Sequence, residues 1–192
     1  MDFDRVRAEL EAANPDPIET GHIRMKLLLF GYGNIDRQDD GVAWHILRGV
    51  AEHYQVMLPT VPEESNCVLS PAITTTFALQ LTPESAEWVA EFDEAIFIDA
   101  HTGSVADLLH VEELNANFQT SPFTHHLTPQ SCLALAGSLY GKTPKATLIS
   151  VRGYEFGFAQ NLSKQTEDLA RQAVRVIISK IDQAGDFFAR HL

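Results

Sequence analysis

The chain has 192 residues, 45% hydrophobic and 21% charged, enough for one folded domain with a good core and cramped for two. Fourteen Lys and Arg against 26 Asp and Glu give a net charge of −12, which repels nucleic acid and anionic membrane surfaces, and no basic cluster offsets it. Cys67 and Cys132 lack the CxxC spacing of a zinc site and give no disulfide framework, and no run approaches the ~20 apolar residues of a membrane span. The acidic N-terminus has no apolar signal-peptide core, so a cytoplasmic protein is expected.

Residues 3–14 pattern as a short amphipathic helix ended by "NPDP", whose prolines cannot continue it. Residues 1–24 therefore read as an N-terminal extension and 25–192 as a single domain. "MKLLLFG" (25–31) is an apolar run with a glycine stop, the pattern of a strand buried on both faces. Asp39 or Asp40 then caps a helix to about residue 53, with Val42, Ile46, Leu47 and Val50 at helical spacing. The Val, Thr and Pro content of 54–79 predicts one or two strands. "LTPESAEWVAEFD" reads as a helix capped by Thr82 with Pro83 at its first position, leading into the buried strand "EAIFIDA" (94–100). A strand over 108–115, a loop over 120–129 and a helix "PQSCLALAGSLYG" stopped by Gly141 follow. A third buried strand, "KATLISVRG", and a long amphipathic helix capped by Ser163 complete the chain. Strands alternating with helices specify an α/β sheet with helices on both faces, whose ligands collect at the carboxyl ends of the strands.

Gly31-Tyr32-Gly33-Asn34 lies between a strand and a helix, where a dinucleotide's pyrophosphate often sits. The third glycine of that fingerprint is Asp36 here, no GxxxxGKS/T run occurs, and Asp36, Asp39 and Asp40 would oppose an anion at the positive helix end. Carboxylates at this place suit a cation, or act as helix caps. Asp99, at the end of a buried strand, belongs to the same edge or satisfies loop amides.

His125 and His126 stand in the loop before a helix. One imidazole with one or two carboxylates is a sound ligand set for Ni, Zn or Fe, and adjacent histidines point apart, so one of the two would coordinate. A loop histidine also serves as a surface or packing residue. His101 is a weaker candidate. No GxSxG elbow is present, and Cys132 sits among aliphatic neighbours, a poor setting for a thiolate nucleophile.

"LLLFGYGNIDRQDDGVAWHI", "LQLTPESAEWVAEFDEAIFIDA", "FTHHLTPQSCLALAGSLYG" and "ATLISVRGYEFGFAQNLS" follow one another in an order that resembles the hydrogenase maturation proteases. These are nickel-recognising endopeptidases that trim the C-terminus of the large subunit of nickel–iron hydrogenases. The resemblance runs from about Lys26 to Ile181. It implies a three-layer α/β sandwich of the phosphorylase/hydrolase type, with a mostly parallel sheet between helices.

It also implies a metal site built from an acidic residue at the glycine turn, a second one after a middle strand, and the loop histidine. The first maps onto Asp40 and the last onto His125, with His126 the alternative; Gly31, Gly33, Asn34, Asp39 and Asp99 support them. At the second acidic position the chain departs from the pattern: "TTTFALQLTPE" has no carboxylate before Glu84, and Gln80 lies nearest with only a neutral amide oxygen. A site of Asp40, Gln80 and His125 would carry less negative charge and hold metal more weakly. The implied partner is a hydrogenase large-subunit precursor bearing the nickel, met by a monomer without nucleic acid or membrane. Two alternatives stand beside this one. Gln80 favours a non-catalytic relative that binds or chaperones a metalloenzyme subunit. The Gly31–Asn34 turn leaves room for a small-molecule enzyme.

Overall fold

A computed structural model describes residues 25–60, 62, 67–118 and 127–189, with side chains to 183. The helix expected over 3–14, the extension 1–24, and most of the 120–129 loop with His125 and His126 lie outside the described residues.

The elements in chain order are β1 (Leu27–Tyr32), a 3-10 turn (Gln38–Gly41), α1 (Val42–His53), β2 (Cys67–Ser70), β3 (Ile73–Ala78), α2 (Ser85–Val89), β4 (Glu94–His101), β5 (Leu109–Leu114), α3 (Pro129–Tyr140), β6 (Lys145–Arg152) and α4 (Lys164–Ala189). The strands form one six-stranded sheet in the order β2-β3-β1-β4-β6-β5. β3, β1, β4 and β6 run parallel, and β2 and β5 close the edges antiparallel. The expected α/β sandwich with a mostly parallel sheet is the fold observed.

The two-residue period of a strand explains the layers. In β1, Leu28 and Phe30 project to one face and Leu29 to the other. Leu29, Ile96, Ile98, Ile149 and Val151 pack on α1 and α4 through Ile46, Leu47, Val50, Ala173 and Ile177, forming the first face. On the second face, Leu28, Phe30, Ala95 and Phe97 meet Trp88 and Phe92 near α2, and Cys132 and Leu133 of α3. Phe30 stacks on Phe97 with ring centroids 5.9 Å apart and meets Trp88 edge-on at 6.3 Å. Burying each large apolar side chain contributes about 1.5–3 kcal/mol, so a strand apolar on both faces needs a helical layer over each.

Local chemistry sets the ends of α3 as expected. Thr128 Oγ1 accepts the Ser131 N–H at 3.2 Å, Pro129 opens the helix, and Gly141 ends it at φ +70°. The Ser163 cap of α4 is formed, its Oγ accepting the Thr166 N–H at 3.4 Å. α2 differs from expectation, since it begins at Ser85 with Glu84 in the cap position and no side-chain cap bond. Thr82 and Ser85 instead close a turn: the Thr82 N–H donates to Ser85 Oγ at 3.1 Å, and the Ser85 N–H to the Thr82 carbonyl at 2.9 Å. None of the described helices is long and apolar enough to cross a membrane.

The topology fixes where a ligand can sit. From β1 the chain passes along the first face through α1 toward β3, then back over the second face through α2 to β4, on the other side of β1. Strand order reverses there, which opens a crevice beyond the carboxyl ends of β1 and β4.

Candidate active site at the carboxyl edge of the sheet

The chain must fold back at once after β1 so that α1 can lie along the sheet. Gly31 permits the approach, because a Cβ there would stand 2.9 Å from Leu47 Cδ1. Gly33 makes the turn itself at φ +137°, where a Cβ would meet the Asp40 carbonyl oxygen at 2.1 Å. Asn34 Oδ1 accepts the Asp36 N–H at 2.9 Å, and Asp40 Oδ2 accepts the Asn34 N–H at 2.8 Å. The N–H groups of Gly33, Arg37, Gln38, Asp39 and Asp40 donate to the carbonyls of Ala78, Asn34, Ala159, Glu155 and Arg37 respectively. An anion would find these donors engaged. The glycines serve close packing, and the small-molecule reading loses its phosphate cradle.

Neither aspartate caps α1. The 3-10 turn intervenes, and Gly41 holds the cap position without a side-chain bond. Asp39 is fully buried and does something else. Its Oδ2 accepts the Tyr154 N–H at 2.8 Å, the Glu155 N–H at 2.9 Å and the Ser163 hydroxyl at 2.7 Å, while Oδ1 accepts the Ser163 N–H at 2.7 Å. The Thr166 hydroxyl lies a further 2.8 Å from Oδ2. Burial opposes the charge, but these donors prevail and hold the carboxyl below the usual carboxylate range. Asp39 thus clamps the loop after β6 to the loop after β1. Two neighbours reinforce the clamp: Gln38 Oε1 accepts the Gly157 N–H at 2.7 Å, and Gln160 Nε2 donates to Asp36 at 2.8 Å.

Asp40 is half-buried, and its charge reaches Asp99. Gly31 pairs with Ile98 in the β1–β4 register, so Tyr32 and Asp99 come next on neighbouring strands, both on the second face. The Tyr32 hydroxyl hydrogen-bonds the Asp99 carboxylate, and the Ala100 N–H donates to Asp99 Oδ1 at 2.7 Å. Burial pushes the Asp99 carboxyl up to about 7; the Asp40 charge adds to this, and the Ala100 and Tyr32 hydrogen bonds oppose it. The Tyr32 hydroxyl is driven well above its ordinary value by burial first and the Asp99 charge second. Burial pushes the Cys132 thiol up to about 12, which leaves it inert.

Gln80 also stands at the carboxyl edge, two residues beyond Ala78, the register partner of Tyr32. It is exposed in the turn after β3 and makes no hydrogen bond among the described residues. The carboxylate that the Asp40 charge reaches is Asp99, on the neighbouring strand. His125 and His126 lie outside the described residues, but both ends of their segment are placed. A helix leading into a parallel strand starts at the carboxyl edge, so α3 opens there. Next to that start the Asn117 N–H donates to the Gln130 carbonyl at 3.2 Å, and Leu127 packs in the cluster that holds Tyr32. Among the described residues no three His, Cys, Asp or Glu side chains gather as a metal site. Tyr32 was not singled out in the sequence. Its signal was its position two residues after Phe30, which puts it on the second face beside the strand carrying Asp99.

No protein-family model and no curated protein matches the chain. Solved structures do. The hydrogenase maturating endopeptidase HybD of E. coli superposes with a TM-score of 0.58 at 18% identity, covering 84% of this chain and 94% of that one. The NiFe hydrogenase maturation protease HycI of Thermococcus kodakarensis KOD1 gives 0.54 at 18% identity, over 80% and 90%. A hydrogenase 2 maturation peptidase from Thaumarchaeota archaeon SCGC_AB-539-E09 gives 0.53 at 19% identity, over 82% and 98%. The chain has the fold of these proteins over most of its length and theirs, so the expected resemblance holds at the level of fold.

Proposed function

We propose that the chain is an endopeptidase that trims the C-terminus of a nickel-loaded large-subunit precursor of a nickel–iron hydrogenase. One observation carries the reading: Asp40 and Asp99 meet within electrostatic reach at the crevice of a fold shared with maturation endopeptidases. Burial chiefly keeps the proton on Asp99, the Asp40 charge adds to this, and an arriving cation would offset both. The nickel carried by the precursor would be received by Asp40 and one histidine, His125 or His126, and would serve as a Lewis-acid anchor for the peptide. Its approach lowers the Asp99 pKa from about 7 and frees a base where the substrate sits. The Tyr32 hydroxyl and the Ala100 N–H fix that carboxylate's orientation. Asp99 then takes a proton from the attacking water and returns it to the leaving amine.

The site holds metal weakly without substrate, since the described residues provide only two carboxylates. Gln80 is the feature that favours a non-catalytic relative; in the endopeptidase reading Asp99 supplies the acidic group that Gln80 lacks. A monomer acting in the cytoplasm remains part of the proposal. The test is to mix the protein with its cognate precursor, nickel-loaded or nickel-free, and follow the C-terminus by mass spectrometry. Trimming of the loaded form alone is expected. A precursor shown to be loaded that stays intact would refute the proposal.

A further inference from the structure

Arg152 ends β6 beside His101 of β4 in the strand register. Its guanidinium carries N–H donors and no acceptor, yet among the described residues none of those donors makes a hydrogen bond or ion pair. It lies over the Tyr154 ring, 5.5 Å from the centroid, and across the turn at Gly103. Gly103 has φ +89°, and a Cβ there would fall 1.0 Å from Arg152 Nη1, so only glycine leaves room for the guanidinium. The turn is itself held, because the Gly103 N–H donates to Nδ1 of the buried His101 at 3.3 Å. Arg152 is also fixed along its backbone: its N–H donates to the Leu108 carbonyl at 2.9 Å, and its carbonyl lies 3.0 Å from the Thr166 hydroxyl. On β5 and the turn before it, Asp107 and Glu112 approach His110 at 3.3 and 3.5 Å, and neither pairs with Arg152. A half-buried guanidinium without an ion-pair partner among the described residues is unexpected in a chain with net charge −12.

Asp99 pairs with Ser150, and Arg152 stands two residues further along that strand on the same face. A strand separation of ~4.8 Å and a two-residue rise of ~6.6 Å put the Asp99 and Arg152 Cα atoms about 8 Å apart, which extended peptide spans in roughly three residues. The geometry points to Arg152 as a specificity-determining residue that receives a carboxylate of the precursor, from an acidic residue within about three positions of the cleaved bond. This rests on the endopeptidase reading. A planar guanidinium fork matches a carboxylate with two parallel hydrogen bonds, and its place between Gly103 and the Tyr154 ring leaves those donors open to one.

The test measures trimming kinetics for the unaltered protein, Arg152→Met and Arg152→Lys. The precursors carry the acidic residues near the cleaved bond changed singly to their amides. Arg152→Met keeps the aliphatic stem on Tyr154 and is expected to raise KM roughly ten- to hundredfold, with kcat held within about twofold. One amide substitution reproduces that rise and adds nothing further in Arg152→Met, while Arg152→Lys recovers part of the loss. An unchanged KM for Arg152→Met on the unaltered precursor would overturn the inference and leave the endopeptidase reading intact. A readout independent of cleavage is the Arg152 Nε–H signal in side-chain NMR, assigned by its loss in Arg152→Met. It should shift with an N-acetyl tri-glutamate amide and stay put with the tri-glutamine counterpart; equal responses would overturn the carboxylate site. If the unaltered protein trims nothing, the endopeptidase reading fails, and this titration still decides whether Arg152 takes a carboxylate.

Discussion

Asp39 and Asp40 are adjacent in the chain and occupy opposite situations. Asp39 gathers three N–H donors and a hydroxyl around a buried charge, so Asp39→Ala leaves them without an acceptor and should cost about 3 kcal/mol or more in urea unfolding. Asp40→Ala loses one bond from Asn34 and should cost only about 1 kcal/mol. The depressed Asp39 pKa gives stability that is present above the unfolded carboxylate value and lost as pH falls through the folded one. Asp99 has the opposite sign. Its folded pKa of about 7 means the native state holds the extra proton between the unfolded carboxylate value and neutrality, so its contribution is lost as pH rises through that window. Asp99→Asn should therefore raise the melting temperature relative to the unaltered protein at pH ~8 and change it little at pH ~4.5. In trimming assays with loaded precursor, activity should climb with pH toward neutrality in the unaltered protein.

The glycine turn and the end of α3 show what local sequence can and cannot specify. The α3 cap, its Pro129 start and its Gly141 stop depend on neighbours within a few residues, so the sequence displays them plainly. The buried strands are equally visible in "LLLFGY" and "EAIFIDA", because a strand covered on both faces must be apolar at nearly every position. The role of Asp39 was hidden, since its partners Tyr154, Glu155 and Ser163 come from the far end of the chain. The surroundings of Asp99 were hidden for a similar reason: only the β1–β4 register places it beside Tyr32. Gly33→Ala drives a methyl group toward the Asp40 carbonyl at 2.1 Å and imposes a left-handed φ, so it should cost about 1–3 kcal/mol and displace Asp40. Thr128→Ala should cost about 1 kcal/mol in urea unfolding through the lost cap.

At the scale of the whole molecule, parallel strands pointing one way bring Asp40, Asp99 and the start of α3 to a single edge, and the reversal of strand order opens that edge. What the sequence displayed was the layered fold and the glycine turn; which carboxylate completes the edge depended on a strand crossing over β1. The central claim is that Asp40 and Asp99 together form the acidic pair, and kcat/KM for nickel-loaded precursor tests it most directly. The variants are Asp40→Ala, Asp99→Ala and Gln80→Ala, each first shown to be folded. The two aspartate variants are each expected to lose about a hundredfold or more, and Gln80→Ala to keep its activity. Full activity in Asp99→Ala, or a comparable loss in Gln80→Ala, would contradict it.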